Sequence, residues 1–152
     1  MKVFILIFFV NICFSQDIER LKKIDTVYIF FNYGNYEKIT EFKAQNKNKT
    51  TYLYQFFSSN GDYINFSYSS FKDFEHLRKG IKTDIKTVSK KFLRKNKDKI
   101  LDINFFNENG FRETYYALFG KVVYIIDSKE IKGRKVKLKQ LTRVDAPNYN
   151  EE

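Results

Sequence analysis

Alternation of apolar and polar positions divides the chain into short strand-like runs, interrupted once by a stretch of helical periodicity. The most apolar run, Val122-Val123-Tyr124-Ile125-Ile126, is β-branched or aromatic at each position. A strand there has two apolar faces and needs cover on both. Beyond it, Lys135, Lys137 and Lys139 alternate with Val136 and Leu138, the period of two that a half-buried strand requires, with the lysines toward water. Residues 128–134 between the two runs are polar and hold Gly133, which takes a positive φ without steric cost. Together these segments predict a C-terminal β-hairpin over residues 122–144, with an inner and an outer strand.

The same period recurs upstream. Thr26 to Tyr33 places Val27, Ile29, Phe31 and Tyr33 on one face and Tyr28 and Phe30 on the other, a second inner strand. Lys38 to Gln45 is weaker, with Phe42 and Ala44 set against Glu41 and Lys43, and is expected near an edge. Thr50 to Phe57 and Asp62 to Tyr68 alternate strongly and flank Asn60-Gly61, a pair suited to a type I′ hairpin turn. Asp17 to Ile24 reads as a helical turn or an extended lead-in.

Between residues 70 and 120 the period lengthens to about 3.6. Ser70 and Asp73 are spaced as a helix cap, with Phe71, Phe74 and Leu77 at helical steps up to Gly80. Asp84 is placed to cap a longer helix, Ile85 to Lys97, whose apolar stripe is Ile85, Val88, Phe92 and Leu93. Asp102 can cap a third helical piece ending at Asn109-Gly110, and Arg112 to Phe119 reads as a fourth, stopped by Gly120. Strands, then helices, then a hairpin define an α+β domain: a mainly antiparallel sheet of about five to six strands, with helices inserted before the C-terminal hairpin and packed on one face.

The amino terminus stands apart from this pattern. Met1-Lys2 gives a positive start and Val3 to Ile12 is apolar except for Asn11, a length that suits a secretory signal and is too short to span a bilayer. Ser15 precedes Gln16, so residues 1–15 are expected to be removed. Ile12 before Cys13 argues against a lipoprotein, since the residue preceding a lipidated cysteine is small. Residues 16–144 then form a single domain and 145–152 a loose acidic tail. The expected location is outside the cytoplasm: periplasm, cell surface or medium. Without Cys13 the mature chain has no cysteine and must fold on its core alone.

Charge and aromatic content refine the picture. The chain carries a formal net charge of +10 and 18% aromatic residues, with 17 Phe, 11 Tyr and no Trp. A basic balance favours anionic partners, although abundant Lys, Asn, Ile, Phe and Tyr also fit the residue usage of an AT-rich genome. Two basic faces are the candidate binding sites. One is the outer side of the helix at Ile85 to Lys97, with Lys86, Lys90, Lys91, Arg94 and Lys97; the other is the row Lys135, Lys137 and Lys139 with Arg143. Either can equally be a solvated face. Tyr52, Tyr54 and Tyr63 can stack on sugars or peptides if exposed, but tyrosines at strand spacing usually belong to core or sheet.

Catalytic material is sparse. The mature chain has a single histidine, His76, beside Asp73 and Glu75, and lone histidines without cysteines or spaced acids make poor zinc sites. There is no P-loop, dinucleotide glycine fingerprint, HExxH or GxSxG. No metal or other cofactor is expected. In the segment ending Cys13-Phe14-Ser15-Gln16, the strand Thr26 to Tyr33, the stretch Phe92 to Ile100 and the run Tyr124 to Asp127, the chain resembles small, uncharacterised exported proteins of flavobacteria-like bacteria. The resemblance covers most of the mature chain and implies export, with no catalytic role attached. The expectation is therefore a non-enzymatic exported domain that binds an envelope protein or an anionic envelope polymer, with nucleic acid disfavoured as a partner. The alternative is a small periplasmic hydrolase acting through paired carboxylates.

Overall fold

The computed structural model describes residues 17–43, 49–71 and 85–145. The expected signal segment, the tail beyond Asp145 and His76 lie outside these residues. The architecture is α+β, and among the described residues the strands are divided between two sheets. A mixed five-stranded sheet has the order β5-β8-β7-β1-β6, and an antiparallel four-stranded sheet has the order β2-β3-β4-β9. In chain order the strands are β1 (Thr26–Phe31), β2 (Glu37–Lys43), β3 (Lys49–Phe57), β4 (Tyr63–Phe71), β5 (Ile85–Ser89), β6 (Ile100–Leu101), β7 (Val122–Asp127), β8 (Lys135–Gln140) and β9 (Arg143–Asp145). Residues 17–22 form helix α1, followed by α2 (Lys90–Lys95), α3 (Ile103–Asn109) and α4 (Phe111–Leu118). Among the described residues no helix is long and apolar enough to cross a membrane.

The two strands with apolar side chains on both faces lie side by side. β1 runs parallel to β7 in register from Thr26↔Val122 to Phe31↔Asp127, and parallel to β6 on its other edge. Val27, Ile29 and Phe31 join Val123 and Ile125 in one buried cluster, while Tyr28, Tyr124 and Ile126 join Val136 and Leu138 in another. The two clusters occupy opposite faces of the five-stranded sheet, as the strict alternation of a pleated strand requires. Phe92 and Leu93 of α2 cover the second cluster, and the Phe92 ring meets Tyr28 edge-on at 5.4 Å.

The first cluster is shared with the four-stranded sheet. Tyr54 and Phe56 of β3 and Ile64, Phe66 and Tyr68 of β4 all point into it. Phe31 meets Tyr54 and Phe56 edge-to-face at 5.0 and 5.5 Å, geometries that add to plain area burial. From α3 and α4, Phe106 and Phe111 close one end; Phe106 stands 5.0 Å from Phe56. The outer face of the β3–β4 pair is mixed, with Thr51 bonded to Ser69, Gln55 to Asn65 and Phe57 against Tyr63 across the strands. The chain then passes from one sheet to the other within two residues: Leu141 N donates to Val123 O and Thr142 N to Ser67 O, both at 2.8 Å.

Several local expectations change. Ile85 to Ser89 is a strand, so the helix expected from Ile85 to Lys97 is reduced to Lys90–Lys95 and a 3-10 turn at Lys97–Lys99. Five residues pair with β8, from Ile85↔Lys139 to Ser89↔Lys135, and these ladder bonds override a helical spacing that only four apolar residues carried. β4 continues through Ser70 and Phe71, so those two do not begin a helix; Asp73, Phe74, Leu77, Gly80 and the cap Asp84 fall outside the described residues. β8 is flanked by β7 and β5 and is not an outer strand; it ends at Gln140, after which Arg143–Asp145 pairs with β4 in the other sheet. The turn at Asn60-Gly61 is not type I′. Gly61 has φ 96° but Asn60 is not among the positive-φ residues, and the loop is closed instead by Ser58 N donating to Asp62 O at 2.8 Å. Edge strand β2, α3 and α4 match their expected positions closely.

Candidate functional site

Charged groups gather where the carboxyl ends of β1 and β7 meet β8 and the tyrosine face of the four-stranded sheet. Asp127 ends β7 and is buried. Its Oδ2 accepts from Tyr33 Oη at 2.8 Å and Tyr54 Oη at 3.4 Å, and its Oδ1 from Lys129 N at 3.0 Å. Three donors offset the loss of water around a buried carboxylate. Tyr33 reaches this position from a left-handed backbone, φ 61°, a conformation that costs free energy for a bulky residue and persists where its surroundings hold it. Glu37 Oε2 provides part of that hold by accepting from Asn32 N at 3.1 Å and Gly34 N at 2.6 Å.

Lys139 is the cation of this cluster. It is only 7% exposed. Its Nζ donates to Glu130 Oε1 at 2.8 Å and Tyr54 Oη at 3.3 Å. The rings of Tyr68, Tyr52 and Tyr54 surround it at 5.4, 5.5 and 6.0 Å from their centroids, close enough for cation–π attraction. Tyr54 thus accepts from Lys139 and donates to Asp127, linking the two charges. Above it, Lys129 Nζ stands 3.5 Å from the Tyr33 ring centroid. Burial, followed by the carboxylates of Asp127 and Glu130, pushes the Tyr54 hydroxyl well above the ordinary phenol range; burial and then the Asp127 hydrogen bond do the same for Tyr33. Both hydroxyls remain donors throughout neutral and mildly alkaline solution. Burial, then Glu130, also raises Tyr68, whose Oη and Glu130 Oε2 lack hydrogen-bond partners among the described residues. The cluster pairs Lys139 with Glu130, joins that pair to Asp127 through Tyr54, and ties the sheets together.

The structure separates the residues expected to form two basic faces. Lys90, Lys91, Arg94 and Lys97 remain together and exposed on α2 and the turn after it, and Lys95 joins them. Lys86 belongs to β5, where its Nζ donates to Tyr124 Oη at 2.7 Å and lies over that ring. In β8, Lys135 and Lys137 are exposed as expected. Lys139 does not face water, because at its end of the strand the tyrosine sheet covers that face. Arg143 lies opposite Ser67 in the other sheet, which breaks the expected row. Of the three tyrosines offered as surface stackers, Tyr54 is buried and Tyr52 and Tyr63 are half-buried.

Two clefts open on the surface away from the charged cluster. One, of about 220 Å³, lies between the end of α4 and the segment crossing from β8 to β9, with Phe119, Lys121 and Leu141 in its wall. The other, of about 520 Å³, lies between the β3–β4 loop and the junction of α3 and α4. Among the described residues no three His, Cys, Asp or Glu side chains are grouped to hold a metal ion. No family model matches this chain, and neither a curated protein nor a solved structure matches it.

Proposed function

We propose that this chain is a non-enzymatic binding domain of the cell envelope that engages an anionic polymer through α2 and the turn that follows it. One observation carries the reading. Residues 90–97 present Lys90, Lys91, Arg94, Lys95 and Lys97 as exposed cations, and among the described residues none of them forms a salt bridge. Among the described residues Lys139 is paired with Glu130, Lys22 with Glu19, Arg20 with Asp17 and Lys43 with Glu41, whereas residues 90–97 gather five cations with no carboxylate partner in one short segment. Phe92 and Leu93 anchor the segment on the second core cluster, so the cations sit on a fixed support, where less ordering is lost on binding. In the charged cluster between the sheets, Asp127 already accepts from Tyr33 and Tyr54 and Glu130 Oε1 from Lys139, which favours a structural role for it.

The test is a titration of the protein and its Lys90→Gln/Arg94→Gln/Lys97→Gln variant against lipopolysaccharide at two salt concentrations. Removing three phosphate contacts should weaken binding and lower the slope of log affinity against log salt by about 2–3. The variant should melt as the parent does, since exposed cations contribute little to stability. Equal affinities and slopes for the two proteins would exclude this face as the site.

A further inference from the structure

The larger cleft has a lining unlike the rest of this basic molecule. Its polar side chains are Ser58, Ser59, Asn60 and Asp62 of the β3–β4 loop and Asn107 of α3, and its aromatic ones are Tyr36, Phe106 and Phe111. None of these is a cation, in a chain of net charge +10. Phe106 and Phe111 are buried and form an apolar floor, whereas Tyr36 is 47% exposed on the rim. The volume, about 520 Å³, falls within the range of small-molecule sites, about 300–1,000 Å³. We infer that this cleft is a binding site for a neutral saccharide.

Short hydroxyls, carboxamides and one carboxylate beside a half-exposed aromatic ring match a ligand that is polyhydroxylated on its edges and apolar on its C–H faces. Asp62 supplies the strongest acceptor, since hydrogen bonds to an ionised oxygen are roughly twice as strong as neutral ones. Among the described residues its carboxylate takes a single long bond, from Asn60 Nδ2 at 3.4 Å, leaving acceptor capacity for a pair of sugar hydroxyls. Ser58 Oγ is bonded to Asn60 Oδ1, so these side chains are held in place before a ligand arrives. The lining also speaks against an anionic ligand, because nothing in it compensates a negative charge and Asp62 repels one. Gly61 takes φ 96° in the loop, and Gly110 takes φ 84° at the helix junction with Glu113 Oε2 so close that a Cβ there would overlap it.

The experiment is an amide-shift titration of the isotope-labelled protein with neutral oligosaccharides (maltotriose, chitotriose, cellotriose) and, separately, with an oligomer of glucuronic acid. At least one neutral sugar is expected to move the amides of residues 58–62 and 107–111 selectively, with millimolar affinity. Tyr36→Ala and Asp62→Asn should each weaken that binding by about tenfold, or 1.4 kcal/mol, while retaining the parent spectrum elsewhere. The Lys90→Gln/Arg94→Gln/Lys97→Gln variant should bind the neutral sugar as the parent does, which keeps this site separate from the basic face. The inference is overturned if no neutral sugar perturbs those amides, if only the acidic oligomer does, or if both cleft variants bind like the parent.

Discussion

Lys139 shows how one residue can obey the local pattern and still end in a different environment from its neighbours. It shares the period of Lys135 and Lys137, and nothing in residues 135–139 distinguishes the three. The difference is supplied by residues far away in sequence: Tyr52, Tyr54 and Tyr68 lie over the end of β8 that carries Lys139, while Lys135 and Lys137 lie beyond that cover. The tyrosines were legible as one face of two strands, but not their meeting with a particular lysine, because sheet-on-sheet register is not written in either segment. Replacing Lys139 by Met removes the partner of Glu130 and leaves Asp127 with less compensation. Breaking a fully buried pair costs about 3–5 kcal/mol; the Glu130 side chain retains 32% exposure, so a loss of about 2–3 kcal/mol is expected. Lys137→Met, at an exposed position, should stay within about 0.5 kcal/mol of the parent. Urea unfolding of the two variants checks this, and equal midpoints would show that the buried cation is dispensable.

Elements were readable where the signal was chemical and local, and misread where it was only periodic. α3 begins at Asp102, whose Oδ1 accepts from Asn104 N at 3.0 Å and Phe105 N at 3.1 Å, and it ends at Gly110. Both ends carry residues whose side chain, or lack of one, performs the capping. Asp102→Ala is accordingly expected to cost about 1 kcal/mol, measured as a lower unfolding midpoint, with Asp102→Asn recovering most of it; no change on Asp102→Ala would mean that packing alone fixes this helix start. By contrast, Ile85 to Ser89 carries helical spacing behind the candidate cap Asp84, which lies outside the described residues, yet pairs with β8 over its whole length. The basic face was half legible for the same reason: Lys90, Lys91, Arg94 and Lys97 kept their common side because a true helical turn carries them, and Lys86 left it when its segment became a strand.

Among the described residues two sheets are joined by apolar packing and by a polar knot, and the tyrosines of that knot couple stability to alkaline pH. Tyr33, Tyr54 and Tyr68 have hydroxyls raised in the folded state above the unfolded value of about 10. A folded pKa above the unfolded one means that the contribution is complete below about pH 10 and is lost as pH rises beyond it. The melting temperature should therefore hold steady through mildly alkaline solution and fall above about pH 10, and Tyr54→Phe should start lower but fall less steeply; parallel curves would show that Tyr54 does not drive the effect. The α+β class was legible, but the division into two sheets was not, because it depends on which strands find each other. β1 illustrates the point, since both of its neighbours, β6 and β7, come late in the chain. β1, an inner strand of the five-stranded sheet, is thus made early and flanked late. A chain synthesised amino end first can close the local β3–β4 hairpin, but one edge of β1 waits for Ile100–Leu101 and the other for Val122–Asp127. The five-stranded sheet is therefore complete only once β7 and β8 have been made, whatever the order in which the rest of the chain folds.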